Sequence, residues 1–191
     1  MRCLFCGRFS FKILCKDCLG LVALGLTCRD LQGFKVYGFF EYTSVAELLH
    51  AKYAVVGNKI YNALAKLALD YLKTQLKVSY NAYSVGIDDR ISKQGYAHNA
   101  IFLHHLKEVG LKPMYRTIYA SNSVSYAGKT LEFRKKNPRK FVLKRAVKDK
   151  QIVLVDDIVT SGLTLLEAKE CLESNGARVL HAFVLADART E

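Results

Sequence analysis

The stretch Gln151–Thr164, QIVLVDDIVTSGLT, constrains this chain more than any other. Ile152 to Val155 is a short apolar run, mostly β-branched, and predicts a strand buried on both faces. Asp156 and Asp157 follow at its C-terminal end. Then come Thr160, Ser161, Gly162, Leu163 and Thr164, and after them a helical pattern with Leu165, Leu166, Ala168 and Leu172 on one face. Ligands of open α/β sheets sit at such strand ends. A Thr/Ser/Gly turn aims backbone N–H groups and hydroxyls at a phosphate lying on the helix N-terminus. The carboxylates before it suit a different role, which is to accept hydrogen bonds from two ribose hydroxyls or to hold Mg²⁺ through water. The blander alternative is an ordinary strand-to-helix turn with a solvated acidic pair. The order of small and hydroxyl residues after the carboxylates favours the phosphate cup.

The N-terminus carries a second pattern, Cys3-x₂-Cys6, eight residues, then Cys15-x₂-Cys18. Two such pairs converge on one tetrahedral Zn²⁺, each forming a tight knuckle. Gly7 and Gly20 fit the turns, and Arg2, Arg8, Lys12 and Lys16 offset the charge of four thiolates. Disulfides or two redox-active pairs compete with this reading. Without a leader, disulfides are disfavoured, and a redox motif would not recur in tandem ahead of any strand. Cys28 and Cys171 fall outside the pattern and are expected to be buried, inert thiols. Leu19–Cys28 imitates a signal-peptide core, but Lys16, Asp17 and the cysteines before it argue against a leader. No apolar run reaches the length of a spanning helix.

Of the formal charge of +12, most lies in one place. Lys129 to Lys150 holds ten Lys or Arg against Glu132 and Asp149. Such a concentration points to a polyanion: nucleic acid, a pyrophosphorylated sugar or an anionic membrane face. Phe133 and Phe141, with nearby Tyr115, Tyr119 and Tyr126, would stack bases if exposed; the competing account places them in the core under a solvated lysine surface. Gly128-Lys129-Thr130 ends like a phosphate-binding P-loop, but Ser123 stands where its first glycine belongs and no amphipathic helix follows.

In order, the sequence predicts a strand over 34–42 and a helix with Ser44 as N-cap and Glu47 closing a capping box. Residues 57–76 follow as a helix, with Ile60, Leu64, Leu67 and Tyr71 at helical spacing. His50 and Lys52 are candidates for a functional role, with a solvated helix end the favoured account. A strand over 78–85, a loop over 86–90, a segment 94–99 leading into a helix through about 109 and a strand over 113–119 come next. Residues 120–138 are polar, basic and irregular, of a length that is usually functional. After the central helix, Asn175-Gly176 reads as its stop and 177–187 as a last buried strand. The alternation predicts a parallel α/β sheet with helices on both faces.

The strand, acidic pair and hydroxyl loop together resemble the phosphoribosyl-pyrophosphate (PRPP) signature of type I phosphoribosyltransferases. With the paired cysteines and the segment 40–53, FEYTSVAELLHAKY, nearly the whole chain resembles the ComF (ComFC) family of competence proteins. The resemblance implies a small zinc module, 1–33, ahead of a type I phosphoribosyltransferase-like domain, 34–191, with a parallel sheet and flanking helices. It implies that Asp156 and Asp157 take the ribose hydroxyls, while Thr160, Ser161, Gly162, Leu163 and Thr164 hold the 5′-phosphate. Zn²⁺ on Cys3, Cys6, Cys15 and Cys18 is then structural, and PRPP with Mg²⁺, or another phosphorylated ribose, is the ligand. It further implies a cytoplasmic protein that handles single-stranded DNA in natural transformation, with other competence proteins at the inner face of the membrane as partners. Lys129, Arg134, Lys135, Lys136, Arg139 and Lys140 are the candidate DNA contacts.

The sequence departs from that family at Tyr83–Gly86, where a proline-bearing stretch is usual, at Gln94–Ala97, where Arg-Gly-Phe-Asn is usual, and at Ser161, where a second Thr is usual. Losing an arginine near the pyrophosphate side weakens the case for turnover more than the case for binding. Two functions follow: a DNA-handling protein built on a PRPP-binding fold, or a Mg²⁺-dependent phosphoribosyltransferase with an unidentified nucleophile.

Overall fold

The computed structural model describes residues 1–3, 5–54, 56–77, 79–122 and 130–189. A short helix, α1 (Lys16–Gly20), leads into an antiparallel pair, β1 (Leu24–Leu31) and β2 (Phe34–Glu41). Helix α2 (Tyr42–His50), a 3-10 turn at Ala51–Tyr53 and helix α3 (Gly57–Gln75) follow. Then come β3 (Ala82–Gly86), α4 (His98–His105) and β4 (Leu111–Pro113). Strands β5 (Ile118–Ala120) and β6 (Phe141–Leu143) pair as a separate antiparallel ribbon, with α5 (Leu131–Lys136) between them in sequence. Strand β7 (Gln151–Val159), helix α6 (Leu163–Glu173) and β8 (Arg178–Asp187) complete the chain.

The main sheet has six strands in the order β1-β2-β8-β7-β3-β4, and every neighbouring pair except β1–β2 is parallel. The predicted α/β architecture is therefore the observed one. β1, which lies within residues 1–33, is hydrogen-bonded into this sheet as its edge strand.

β7 is flanked by β8 and β3, and its side chains alternate between two cores. Val153 and Val155 pack with α2, α3 and α4 on one face; Ile152 and Leu154 pack with α6 on the other. α3 buries Ile60, Tyr61, Leu64, Ala65, Ala68, Leu69 and Leu72, the i, i+3, i+4 spacing of one helical stripe. Burying a leucine of this kind contributes roughly 1.5–3 kcal/mol. α6 stops where predicted: Gly176 takes the left-handed conformation, and the Ala177 N–H reaches back to the Leu172 carbonyl.

Several boundaries differ from expectation. Ser44 is not an N-cap. α2 starts at Tyr42, and the Ser44 hydroxyl donates to the Glu41 carbonyl while accepting from Ala23 N–H, so it ties the helix to β1's approach. The strand over 78–85 narrows to β3. The strand over 113–119 breaks into β4 and β5, because Arg116 turns with φ 55° and its N–H is caught by both oxygens of buried Asp89. Within 120–138, residues 131–136 are helical and Thr130 caps them through its hydroxyl. β7 runs to Val159, so Asp156 and Asp157 lie inside the strand rather than after it.

On β8, level with Val153 and so on the order of 10 Å before the carboxylates along the strand, His181 sits in a nest of Tyr37, Tyr80 and Phe183, with the Tyr80 hydroxyl 3.1 Å from Nε2. Burial lowers the imidazole from 6.5 to about 4. The unfolded chain therefore binds this proton at a higher pH than the native one, and stability falls as pH drops through that window, by up to roughly 3 kcal/mol. In urea titrations from pH 7 to 4, His181→Phe should flatten the decline; an unchanged pH slope in the variant refutes this role.

Candidate functional site

The site forms where β7 ends. Asp157 is buried, and its Oδ2 is the focus of three side chains. The Lys52 ammonium lies 2.7 Å away, the Tyr61 hydroxyl donates from 3.0 Å, and His98 Nε2 is 3.7 Å off. Oδ1 accepts the Ile158 N–H. Burial pushes the Asp157 carboxyl up, but His98, Lys52 and Tyr61 outweigh it, and it lies below the ordinary carboxylate range. Burial also lowers His98 itself. Lys52 and Tyr61 make the side-chain hydrogen bonds to Oδ2.

Asp156 is half-buried. Its Oδ1 accepts from the Asn99 amide at 3.1 Å and from the Asp157 N–H at 2.9 Å. Burial first, then the adjacent Asp157 charge, raise its carboxyl. The two predicted carboxylates thus differ: Asp157 is saturated by protein donors, while Asp156 keeps an edge toward solvent.

Beyond β7 the chain turns through Thr160, Ser161 and Gly162 into α6. Gly162 has φ +80°, and a Cβ there would come 2.4 Å from Leu31 Cδ1, so β1 packs directly on the loop and only glycine fits. The first N–H groups of a helix have no intrahelical partner, and those of α6 follow directly on this loop. Two guanidinium groups meet at Thr160: Arg29 of β1 donates to its carbonyl, and Arg134 of α5 donates to its hydroxyl. Arg29 is in turn held by buried Asp187. The loop is thus a small, hydroxyl-lined and positively flanked cup, suited to a phosphate.

Lys52, expected at a solvated helix end, is instead drawn into the site, with its side chain 19% exposed, while His50 is exposed as expected. Tyr61, His98 and Asn99 carry no individual signal in the sequence. A polar residue on the buried stripe of α3, Tyr61, is the only available hint.

The basic segment does not form one surface. Arg134 reaches the Thr160 end of β7, whereas Lys148 and Lys150 precede its start, on the order of 30 Å away along an extended strand. Lys135, Lys136 and Lys140 are exposed, and Arg139 is half-buried with its N–H on Glu167. Among the aromatic residues, Tyr115 and Phe141 pack against the two cores. Phe133 and Tyr119 are half-buried. Lys129 and Tyr126 lie outside the described residues.

The four cysteines converge, whereas Cys28, on edge strand β1, is exposed and Cys171 is half-buried, so neither is the buried thiol expected. The four sulfurs lie within 4.8 Å of one another, and Cys6 and Cys15 are 3.7 Å apart. Tetrahedral Zn²⁺ with bonds of about 2.3 Å sets sulfurs about 3.8 Å apart, so the set fits. The backbone N–H groups of Cys6 and Cys15 lower the Cys3 thiol to about 6. His98, Asp156 and Asp157 also bring ligand atoms together, but Lys52 already occupies Asp157, and Mg²⁺ prefers oxygen donors; this trio does not fit Mg²⁺ as arranged.

Residues 93–191, just over half of the chain, match the model of the phosphoribosyl transferase domain, which covers β7, the acidic pair and the hydroxyl loop. This chain belongs to that family. A hypoxanthine phosphoribosyltransferase of Staphylococcus aureus superposes with TM-score 0.41 at 16% identity, over 69% of this chain and 66% of that one. The hypoxanthine-guanine phosphoribosyltransferase hpt-2 of Bacillus anthracis gives 0.42 at 22%, over 66% and 68%. An adenine phosphoribosyltransferase gives 0.40 at 16%, over 89% and 88%. No curated protein matches. Among the described residues, no helix is long and apolar enough to cross a membrane.

Proposed function

We propose that this chain is a ComF-type protein that binds PRPP, or another phosphorylated ribose, at the end of β7 and handles single-stranded DNA on the basic ribbon beside it. One observation carries the reading: Arg29 and Arg134 converge on Thr160 next to a carboxylate with an open edge. In this reading Thr160–Thr164 takes the 5′-phosphate and Asp156 accepts the ribose hydroxyls. Asp157 serves from behind by fixing Lys52. Mg²⁺ enters on the pyrophosphate of the ligand. The cysteine cluster holds structural Zn²⁺. Exposed Lys135, Lys136 and Lys140 meet the DNA backbone, with Phe133 beside them. Work on incoming single strands places the protein in the cytoplasm, at the inner face of the membrane with other competence proteins.

Transfer to an unidentified nucleophile is the second reading, favoured by the domain match over 93–191. The loop after β3 speaks against it: its Arg90 is spent on Asp88, and its Asp89 is buried on the Arg116 N–H. Release of pyrophosphate from PRPP by the pure protein would decide for transfer.

PRPP with Mg²⁺ at about a hundredfold its Kd should stabilise the fold by about 2.7 kcal/mol through ligand linkage. Asp156→Asn should remove most of that gain. The ionised carboxylate accepts both hydroxyls, and burial raises this group, so binding should strengthen as pH rises through neutrality. Thermal shifts measured for both proteins across pH test this; equal stabilisation of the variant would exclude Asp156 as the ribose ligand.

A further inference from the structure

We propose that Lys52 is the cation that receives the substituent on the anomeric carbon of the phosphoribosyl ligand, the pyrophosphate of PRPP. The proposal rests on the reading just given and adds a residue to that site. Lys52 carries three ammonium protons. Among the described residues its ammonium hydrogen-bonds Asp157 Oδ2 alone and lies 5.5 Å from the centre of the Tyr53 ring, which leaves two N–H donors beyond Asp157 on a side chain that is 19% exposed.

The direction of approach identifies what they meet. The hydroxyl loop leads into α6, which packs on one face of the sheet, whereas Lys52 arrives from the α2–α3 connection, on the other face. The carboxylates lie between. In a phosphoribosyl ligand the hydroxyls stand between the 5′-phosphate and the anomeric carbon. With the phosphate in Thr160–Thr164 and the hydroxyls at Asp156, the anomeric substituent falls on the Lys52 side. Of the cations of the loop after β3, Arg90 forks onto Asp88, and Lys93 is exposed.

Lys52 is also built into place. The Tyr96 hydroxyl donates to the Lys52 carbonyl at 3.0 Å, and the Gln94 amide donates to the Tyr53 carbonyl at 3.0 Å. A Cβ on Gly57 would stand 2.1 Å from both the Ala51 carbonyl and the Tyr96 hydroxyl, so this glycine lets the turn and Tyr96 meet. Gln94 and Tyr96, residues of the segment that departs from the ComF pattern, thus hold the backbone that presents the ammonium. Tyr61 and Lys52 share Asp157, which fixes the charge at its post.

Binding of two ligands, each with Mg²⁺, separates the possibilities: PRPP, and ribose 5-phosphate, which lacks the pyrophosphate. Lys52→Met should weaken PRPP roughly tenfold or more, the loss of a charge-assisted contact, and leave ribose 5-phosphate within about twofold. Lys52→Arg should restore most of the PRPP affinity. Because Lys52→Met strands the buried Asp157 charge, the pair is repeated in an Asp157→Asn background, where no buried charge is left alone. Equal loss for both ligands, or no loss for either, overturns the role of Lys52 while leaving the site itself standing. If wild type binds neither ligand, the phosphoribosyl reading falls, and this proposal with it.

Discussion

Cys15→Ser is expected to abolish zinc binding and to unfold the N-terminal knuckles. Wild-type protein should carry about one Zn²⁺ per chain. Binding to such four-ligand sites contributes on the order of 10–16 kcal/mol in isolated modules, and that energy is folding energy. Here the module is not isolated. Cys3, Leu14, Cys18 and Val22 belong to the same core as α3 and α4, with Ile13 and Leu19 packed against it. Loss of the metal should therefore free residues 1–20 for proteolysis and also lower the thermal midpoint of the rest. Metal analysis, limited proteolysis with and without a chelator, and thermal unfolding read these effects. Protein purified without zinc under reducing, metal-replete conditions would remove the basis for the module.

The next largest effect is on single-stranded DNA. Lys135→Ala, Lys136→Ala and Lys140→Ala together should weaken binding and flatten the slope of log K against log salt by about 2, at roughly 0.7 per neutralised phosphate of a single strand. All three side chains are exposed, so the fold and zinc content should be unchanged. Arg134 is best kept apart from them, because its guanidinium is on Thr160. Arg134→Ala should weaken PRPP as well as DNA, whereas the triple variant should spare PRPP. Phe133→Ala should reduce the preference for single over double strands by weakening stacking. Fluorescence anisotropy over a salt series measures the slope. A triple variant with the wild-type slope would move the DNA surface elsewhere, Arg2, Arg8, Lys12 and Lys16 of the cysteine module being the alternative.

Contiguous chemistry was legible in the sequence. The strand, carboxylates and hydroxyl loop of 152–164 form within one βα unit, where backbone direction alone brings them together. The two cysteine pairs close over short spans, and the stripe of α3 follows from its period. What escaped are the contacts between distant segments. Lys52 and Asp157 are 105 residues apart, and Arg29 and Thr160 are 131 apart. Their meeting depends on β1 taking the edge position beside β2, and on α2 and α3 covering the face toward which Asp157 points. Lys52 looked like a solvated helix end because local sequence gives exposure only as an average. The buried carboxylate that attracts it is supplied by another strand. The same holds for the basic segment. Its charge was visible, but its division between the two ends of β7 was not. Charge density follows from composition, whereas its placement follows from where the strand begins and ends in the sheet.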